Sequence, residues 1–180
     1  MSTIRDETHK KDLIHRLKRV EGQVQVATTG GDVLALHVEP ADAQACPEAL
    51  SAIAAAQAIV LGPGSWFTSV LAPLLVPGVA DAVAASAGRV VVVLNLAEQP
   101  GETSGFSPQR HLEVLRTQFP QLRVDTVVAD PDRVREIDPL AEAAAHLGAR
   151  LVLAPVAARD GSARHDVDLL ASALGGVLTP

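Results

Sequence analysis

The chain has 180 residues, 48% of them apolar, and a formal net charge of −6. That length fits one domain with a real core, and the acidic balance argues against binding nucleic acid over the whole surface. Cys46 is the single cysteine, so an intramolecular disulfide is excluded and a reducing cytoplasm is the expected setting. With one Trp, three Phe and no Tyr, the core has to be built from Ala, Val and Leu. That suits helices stacked on a parallel sheet.

Charge is unevenly spread. Residues 1–23 hold six Lys/Arg against four Asp/Glu, and residues 24–180 hold nine against seventeen. All three lysines (Lys10, Lys11 and Lys18) lie in the first segment. This shift marks a boundary between an N-terminal extension, 1–23, and an acidic body, 24–180. The longest apolar stretch, 70–80, contains Pro73 and Pro77 and is too short to cross a bilayer. The N-terminus has charges where a signal peptide needs an apolar core. A cytoplasmic protein with no membrane partner is expected.

Residues 9–23 read as an amphipathic helix, with Leu13, Leu17, Val20 and Val24 at helical spacing. From Val24 the period changes to two, predicting strands over 24–28 and 33–38 around a Gly30-Gly31-Asp32 turn. A helix over 47–56 and a buried strand over 58–61 follow. Segments 65–75 and 79–86 read as helices separated by Pro77-Gly78. The unbroken apolar run 90–96 predicts a parallel strand covered on both faces. Ser107 caps a helix with Pro108 in its first turn, ending near Phe119. Then come a strand over 123–129, a helix from Asp138-Pro139 to about Gly148, and a strand over 151–156. A last helix over 166–174 is closed by Gly175-Gly176. The alternation predicts an α/β fold, a doubly wound Rossmann-like parallel sheet with right-handed crossovers. Its ligand crevice belongs at the carboxyl ends of the strands.

Two loops fall at such ends. Gly62-Pro63-Gly64-Ser65 follows a short strand and opens a helix that includes Thr68. One reading is a phosphate cradle of bare backbone N–H groups, aided by the helix dipole; the other is a plain turn with a serine cap. No lysine is present, so it is not a P-loop. The second loop carries Asn95, Gln99, Gly101, Glu102 and Thr103. Asn95 can read a base or sugar edge and Glu102 can accept from sugar hydroxyls; an ordinary Pro100-Gly101 surface turn is the alternative. Arg164, beside His165 and Asp166, offers a forked donor set suited to a diphosphate, while Asp166 also suits a helix cap and His165 an exposed position. His111 reads as structural or exposed, and Cys46 as a small buried residue or an unreactive thiol. No His/Cys/carboxylate spacing suggests a metal site, and no catalytic triad can be assembled.

LGPGSWFTSVLAPLLVPGVADAV (61–83), NLAEQPGETSGFSPQRH (95–111) and RHDVDLLASAL (164–174) together resemble the CofD-like superfamily. Its branches are the gluconeogenesis factor (YvcK-type) proteins and the 2-phospho-L-lactate transferases. The resemblance covers about residues 22–180, without the N-terminal half that supplies the family's own glycine-rich loop. Residues 9–24 are instead similar to the first helix of copper- and formaldehyde-sensing repressors (CsoR/RcnR-like), so a chimera or truncation is expected. The words Trp66-Phe67-Thr68 and Arg164-His165-Asp166 look closer to the gluconeogenesis factor branch. That implies a non-catalytic UDP-sugar sensor influencing carbon use and cell-wall growth, with Gly62, Pro63, Gly64, Ser65, Thr68, Asn95, Gln99, Gly101, Glu102, Thr103 and Arg164 around the ligand. The transferase branch implies a phosphate-group transferase with Mg²⁺, Glu102 or Asp166 being its first candidate ligands. A DNA-binding repressor is a third reading, resting on 9–24 alone. An uncovered sheet edge would favour a homo-oligomer.

Overall fold

The computed structural model describes residues 24–29, 32–38 and 43–178. The helix expected over 9–23 and the Gly30-Gly31 turn lie outside the described residues. β1 (Val24–Thr29) and β2 (Asp32–Val38) form an antiparallel pair with a register shift between Ala27 and Thr28. The rest of the strands build a second sheet. β3 (Ala58–Leu61), β4 (Arg89–Val93), β5 (Thr126–Ala129) and β6 (Arg150–Leu153) lie side by side in that order, all parallel. The register pairs Val60 with Val91, Val92 with Val127, and Val128 with Val152.

Between the strands run α1 (Pro47–Ala55), a π-helical turn (Trp66–Leu71) continuing into α2 (Ala72–Leu75), α3 (Val79–Ala85), α4 (Pro108–Gln118) and α5 (Ile137–Ala145). α6 (Val167–Leu178) follows the last strand. On one face of the sheet, Trp66, Leu71, Leu112, Leu115 and Leu140 pack on Val92 and Val127, with Leu36 of β2 at the margin. On the other face, Val91, Val93, Val128 and Val156 meet Val177, Leu170, Leu174 and Leu178 of α6. Both faces of β4 are therefore covered, as its valine run predicts. Complete burial of one such valine contributes roughly 1.5–3 kcal/mol.

Four expectations need correction. The last helix does not stop at Gly175-Gly176; it continues to Leu178. Glycine costs about 1 kcal/mol inside a helix, and burial of Val177 against the second face offsets that cost. The helix expected over 65–75 is not a uniform α-helix, since Val70 N donates to Ser65 O across five residues at 3.1 Å. The strand expected over 90–96 ends at Val93, which releases Leu94, Asn95 and Leu96 into a loop. Cys46 is half-buried rather than buried: it caps α1, its Sγ accepting from Ala49 N at 3.4 Å and donating to Glu48 at 3.2 Å.

Among the described residues, no single helix is long and apolar enough to cross a membrane.

Candidate functional site

Parallel pairing sets the carboxyl ends of β3 and β4 next to each other, so the two loops that leave them meet. Gly62 turns the chain immediately after β3 at φ +81°, where an added Cβ would lie 2.7 Å from the Val93 carbonyl oxygen. Only glycine fits that approach. Ser65 then caps the π-helical turn, its Oγ accepting from Thr68 N at 3.3 Å and also bonding the Thr68 hydroxyl.

Asn95 fastens one loop to the other. Its Oδ1 accepts from Gly64 N at 3.1 Å, and its Nδ2 donates to Gly64 O at 2.7 Å and to Gln99 Oε1 at 3.3 Å. Gln99 Oε1 also accepts from Trp66 N at 3.2 Å, and Ser65 Oγ donates to Glu102 Oε1. Thr103, fully buried, accepts from Gln99 N at 2.9 Å and closes the second loop on itself. Gly101 takes φ +79° at the exposed apex. The structure thus brings Gly64, Ser65, Thr68, Asn95, Gln99, Glu102 and Thr103 into one network, while Gly62, Pro63 and Gly101 shape the two loops that carry it. Two backbone N–H groups that a phosphate would use in a cradle, those of Gly64 and Trp66, already donate to side chains of the second loop.

The network leaves specific atoms unsatisfied. Glu102 Oε2, Trp66 Nε1, His111 Nε2 and His165 Nε2 are buried with no hydrogen-bond partner among the described residues. The His111 ring meets the Trp66 ring edge-on at 5.0 Å and the Phe106 ring at 5.5 Å, and its Nδ1 lies 2.8 Å from Ser107 O. Burial holds its pKa below the ordinary 6.5, against the raising effects of Ser107, Glu102 and Glu98. The imidazole is therefore neutral near pH 7, with the proton on Nδ1 and a lone pair on Nε2.

A cavity of about 620 Å³ opens beside this network, at the carboxyl ends of β4 and β5. Asn95, Glu98, Phe106 and His111 line one side, and Arg133 and Arg135 the other. Arg164, singled out from the sequence, sits at the rim of a different loop. Its exposed guanidinium is paired with Asp160 at 2.6 Å. The word Arg164-His165-Asp166 nevertheless reaches the crevice through His165, which hydrogen-bonds the Leu94 backbone just past β4. Asp166 is the α6 cap, its Oδ1 accepting from Asp168 N and Leu169 N at 3.0 Å each.

Sequence reasoning did not single out Arg133, Arg135 or Asp130. Asp130 is 4% exposed, and its Oδ2 accepts from Val156 N and Ala157 N at 2.8 Å, pinning the chain beyond β6 to the end of β5. The available signal was position, since all three follow the strand that neighbours the most apolar one.

Fold and crevice together define a Rossmann-like α/β protein whose polar site lies at the carboxyl ends of its parallel strands. The family described as 2-phospho-L-lactate transferase CofD matches residues 4–154. The chain belongs to the CofD family. It is 47% identical over 161 residues to the "Putative gluconeogenesis factor" of Mycobacterium leprae, a match covering 88% of this chain and 45% of that protein. It is 32% identical to the protein of the same name from a Nostoc strain, over 87% of this chain and 38% of that one. A crystal structure of a UPF0052-family protein from Bacillus halodurans superposes with a TM-score of 0.71 at 25% identity, covering 87% of this chain and 53% of that one. The chain thus spans about half the length of these relatives or less.

Proposed function

We propose that this chain is a gluconeogenesis factor-like regulator that binds a UDP-sugar without turning it over, acting in the cytoplasm on carbon metabolism and cell shape. The observation that carries the reading is Glu102. One of its carboxylate oxygens is fixed by Ser65, and the other is buried at the junction of the two loops with no partner among the described residues. A buried carboxylate oxygen without a donor is costly, and a sugar hydroxyl is a donor of the right kind. The names of the relatives support the regulatory side of the reading.

The transferase reading draws on the family's description and requires Mg²⁺. Among the described residues no group of three or more His, Cys, Asp or Glu is placed to hold a metal ion. Glu102 is one carboxylate, and Asp166 already accepts two amide bonds at the α6 cap. These residues do not make a metal cage on their own, so a transferase would draw further ligands from outside the described residues.

The test is a thermal melt with UDP-N-acetylglucosamine, with UDP and duplex DNA as controls. Binding to the native state alone raises the midpoint. A rise with the nucleotide sugar, reduced by at least half in Glu102→Gln, is expected. A wild-type midpoint that does not respond sinks the reading. A response to duplex DNA would favour the repressor reading of residues 9–24.

A further inference from the structure

The loop that looks most like an anion cradle is already braced, because Gly64 N and Trp66 N donate to Asn95 and Gln99. Negative charge on a ligand therefore needs another counter-charge. Among the described residues there is no lysine to supply it, because all three lie within residues 1–23. Four arginines are committed: Arg110 pairs with Glu113 at 3.1 Å, Arg164 with Asp160 at 2.6 Å, Arg89 donates to Val177 O at 3.0 Å, and Arg150 bonds Thr126 at 3.3 Å.

Two arginines on the cavity wall differ. The Arg135 guanidinium has no hydrogen bond or ion pair among the described residues, and the Arg133 guanidinium makes only a long 3.4 Å contact to Ser162 O. Both precede α5, whose cap residue Glu136 gives the helix no side-chain hydrogen bond. Lining the same cavity, His111, 5% exposed, carries an Nε2 with no partner among the described residues. An arginine fork matches phosphate oxygens, and a neutral imidazole lone pair accepts from a hydroxyl or N–H.

The geometry points to Arg133 and Arg135 as the phosphate-holding wall of this cavity, with His111 Nε2 accepting from a hydroxyl or N–H of the same phosphorylated ligand. The inference rests on the reading that the ligand bears phosphate, and it places that phosphate between β5 and α5 rather than at residues 62–65. Glu98 and Glu136 also line the cavity, and Glu98 accepts from Gly105 N at 2.7 Å. Those carboxylates repel a phosphate placed against them, so the phosphate has to sit on the Arg133 and Arg135 side of the cavity.

The experiment is calorimetric titration of wild type, Arg133→Gln, Arg135→Gln and the double variant with UDP-N-acetylglucosamine and, separately, inorganic pyrophosphate. Arg116→Gln, which removes an exposed charge away from the cavity, is the control. Each single cavity variant should weaken binding about tenfold and the double variant at least a hundredfold, with Arg116→Gln within twofold. The melting midpoints of the unliganded variants should match wild type, because neither arginine carries a structural bond of consequence. Undiminished affinity in the double variant overturns the proposal while leaving UDP-sugar binding in place. Pyrophosphate binding that the double variant loses, without any UDP-sugar binding, upholds the wall and overturns the nucleotide-sugar reading. No binding of either probe by wild type overturns both.

Discussion

Asn95 is the residue on which the two loops depend, and its removal has a calculable cost. Asn95→Ala deletes bonds of 3.1 Å and 2.7 Å to Gly64 and a longer one of 3.3 Å to Gln99. At about 1 kcal/mol for each of the two good bonds, and less for the third, the loss is roughly 2–3 kcal/mol. With a urea dependence on the order of 2 kcal/mol per molar, the unfolding midpoint should fall by about 1 M. Asn95→Asp is the sharper probe. It keeps an acceptor for Gly64 N but puts a carboxylate oxygen against Gly64 O, where the amide had donated. The native state then disfavours the ionised form, and the pKa of the introduced carboxyl group rises above its unfolded value. The deficit of Asn95→Asp relative to wild type should be largest at pH 7. It should shrink as pH falls through the raised pKa, because a protonated oxygen can donate again. Urea titrations at pH 7 and pH 4, read as differences from wild type, measure this. A midpoint for Asn95→Ala indistinguishable from wild type, or a deficit for Asn95→Asp that does not depend on pH, would refute the brace.

Other consequences follow from single contacts. Gly62→Ala must place a Cβ 2.7 Å from Val93 O at a positive φ, and should destabilise by about 2–4 kcal/mol in the same assay. Gly175→Ala and Gly176→Ala meet nothing within 4 Å and lie inside α6, so each should raise stability by about 0.5–1 kcal/mol, seen as a higher melting midpoint. His111 and His165 are both held below 6.5, burial being the leading cause in each. Their neutral forms therefore favour the native state fully above that value, and stability should fall as pH drops below it; His111→Phe should flatten part of that acid limb in urea midpoints compared between pH 7.5 and pH 5. Arg164→Ala should leave the melting midpoint nearly unchanged, since its pairing with Asp160 is exposed, and, being outside the cavity lining, should leave UDP-sugar binding in titration within about twofold.

What could be read from the chain was what runs of residues decide locally. The valines of β4, the Ser107-Pro108 start of α4 and the alternation of strand and helix were legible because each is a pattern over neighbours. The end of α6 was not, because a paired glycine reads as a stop and only the buried Val177 explains why the helix continues. The π-helical turn was not, because a bond spanning five residues instead of four leaves no mark in composition. The same division runs through the site. Glycine-bearing loops at the ends of adjacent strands announced a crevice, yet an asparagine can face a ligand or a backbone equally well, and only the fold shows Asn95 turned to Gly64. Arginines present the opposite case. Arg164 stood in a distinctive word and proves to be paired with Asp160, while Arg133 and Arg135 stood in a charged string that reads as ordinary surface. Whether a guanidinium is available depends on which carboxylate the fold brings to it, and among the described residues the fold supplies Asp160 to one arginine and none to the two on the cavity wall. A loop whose amides are braced and a wall whose cations have no carboxylate partner among the described residues are complementary facts: bracing holds the crevice in shape, and on the proposed reading the remaining charge is what a phosphate would meet.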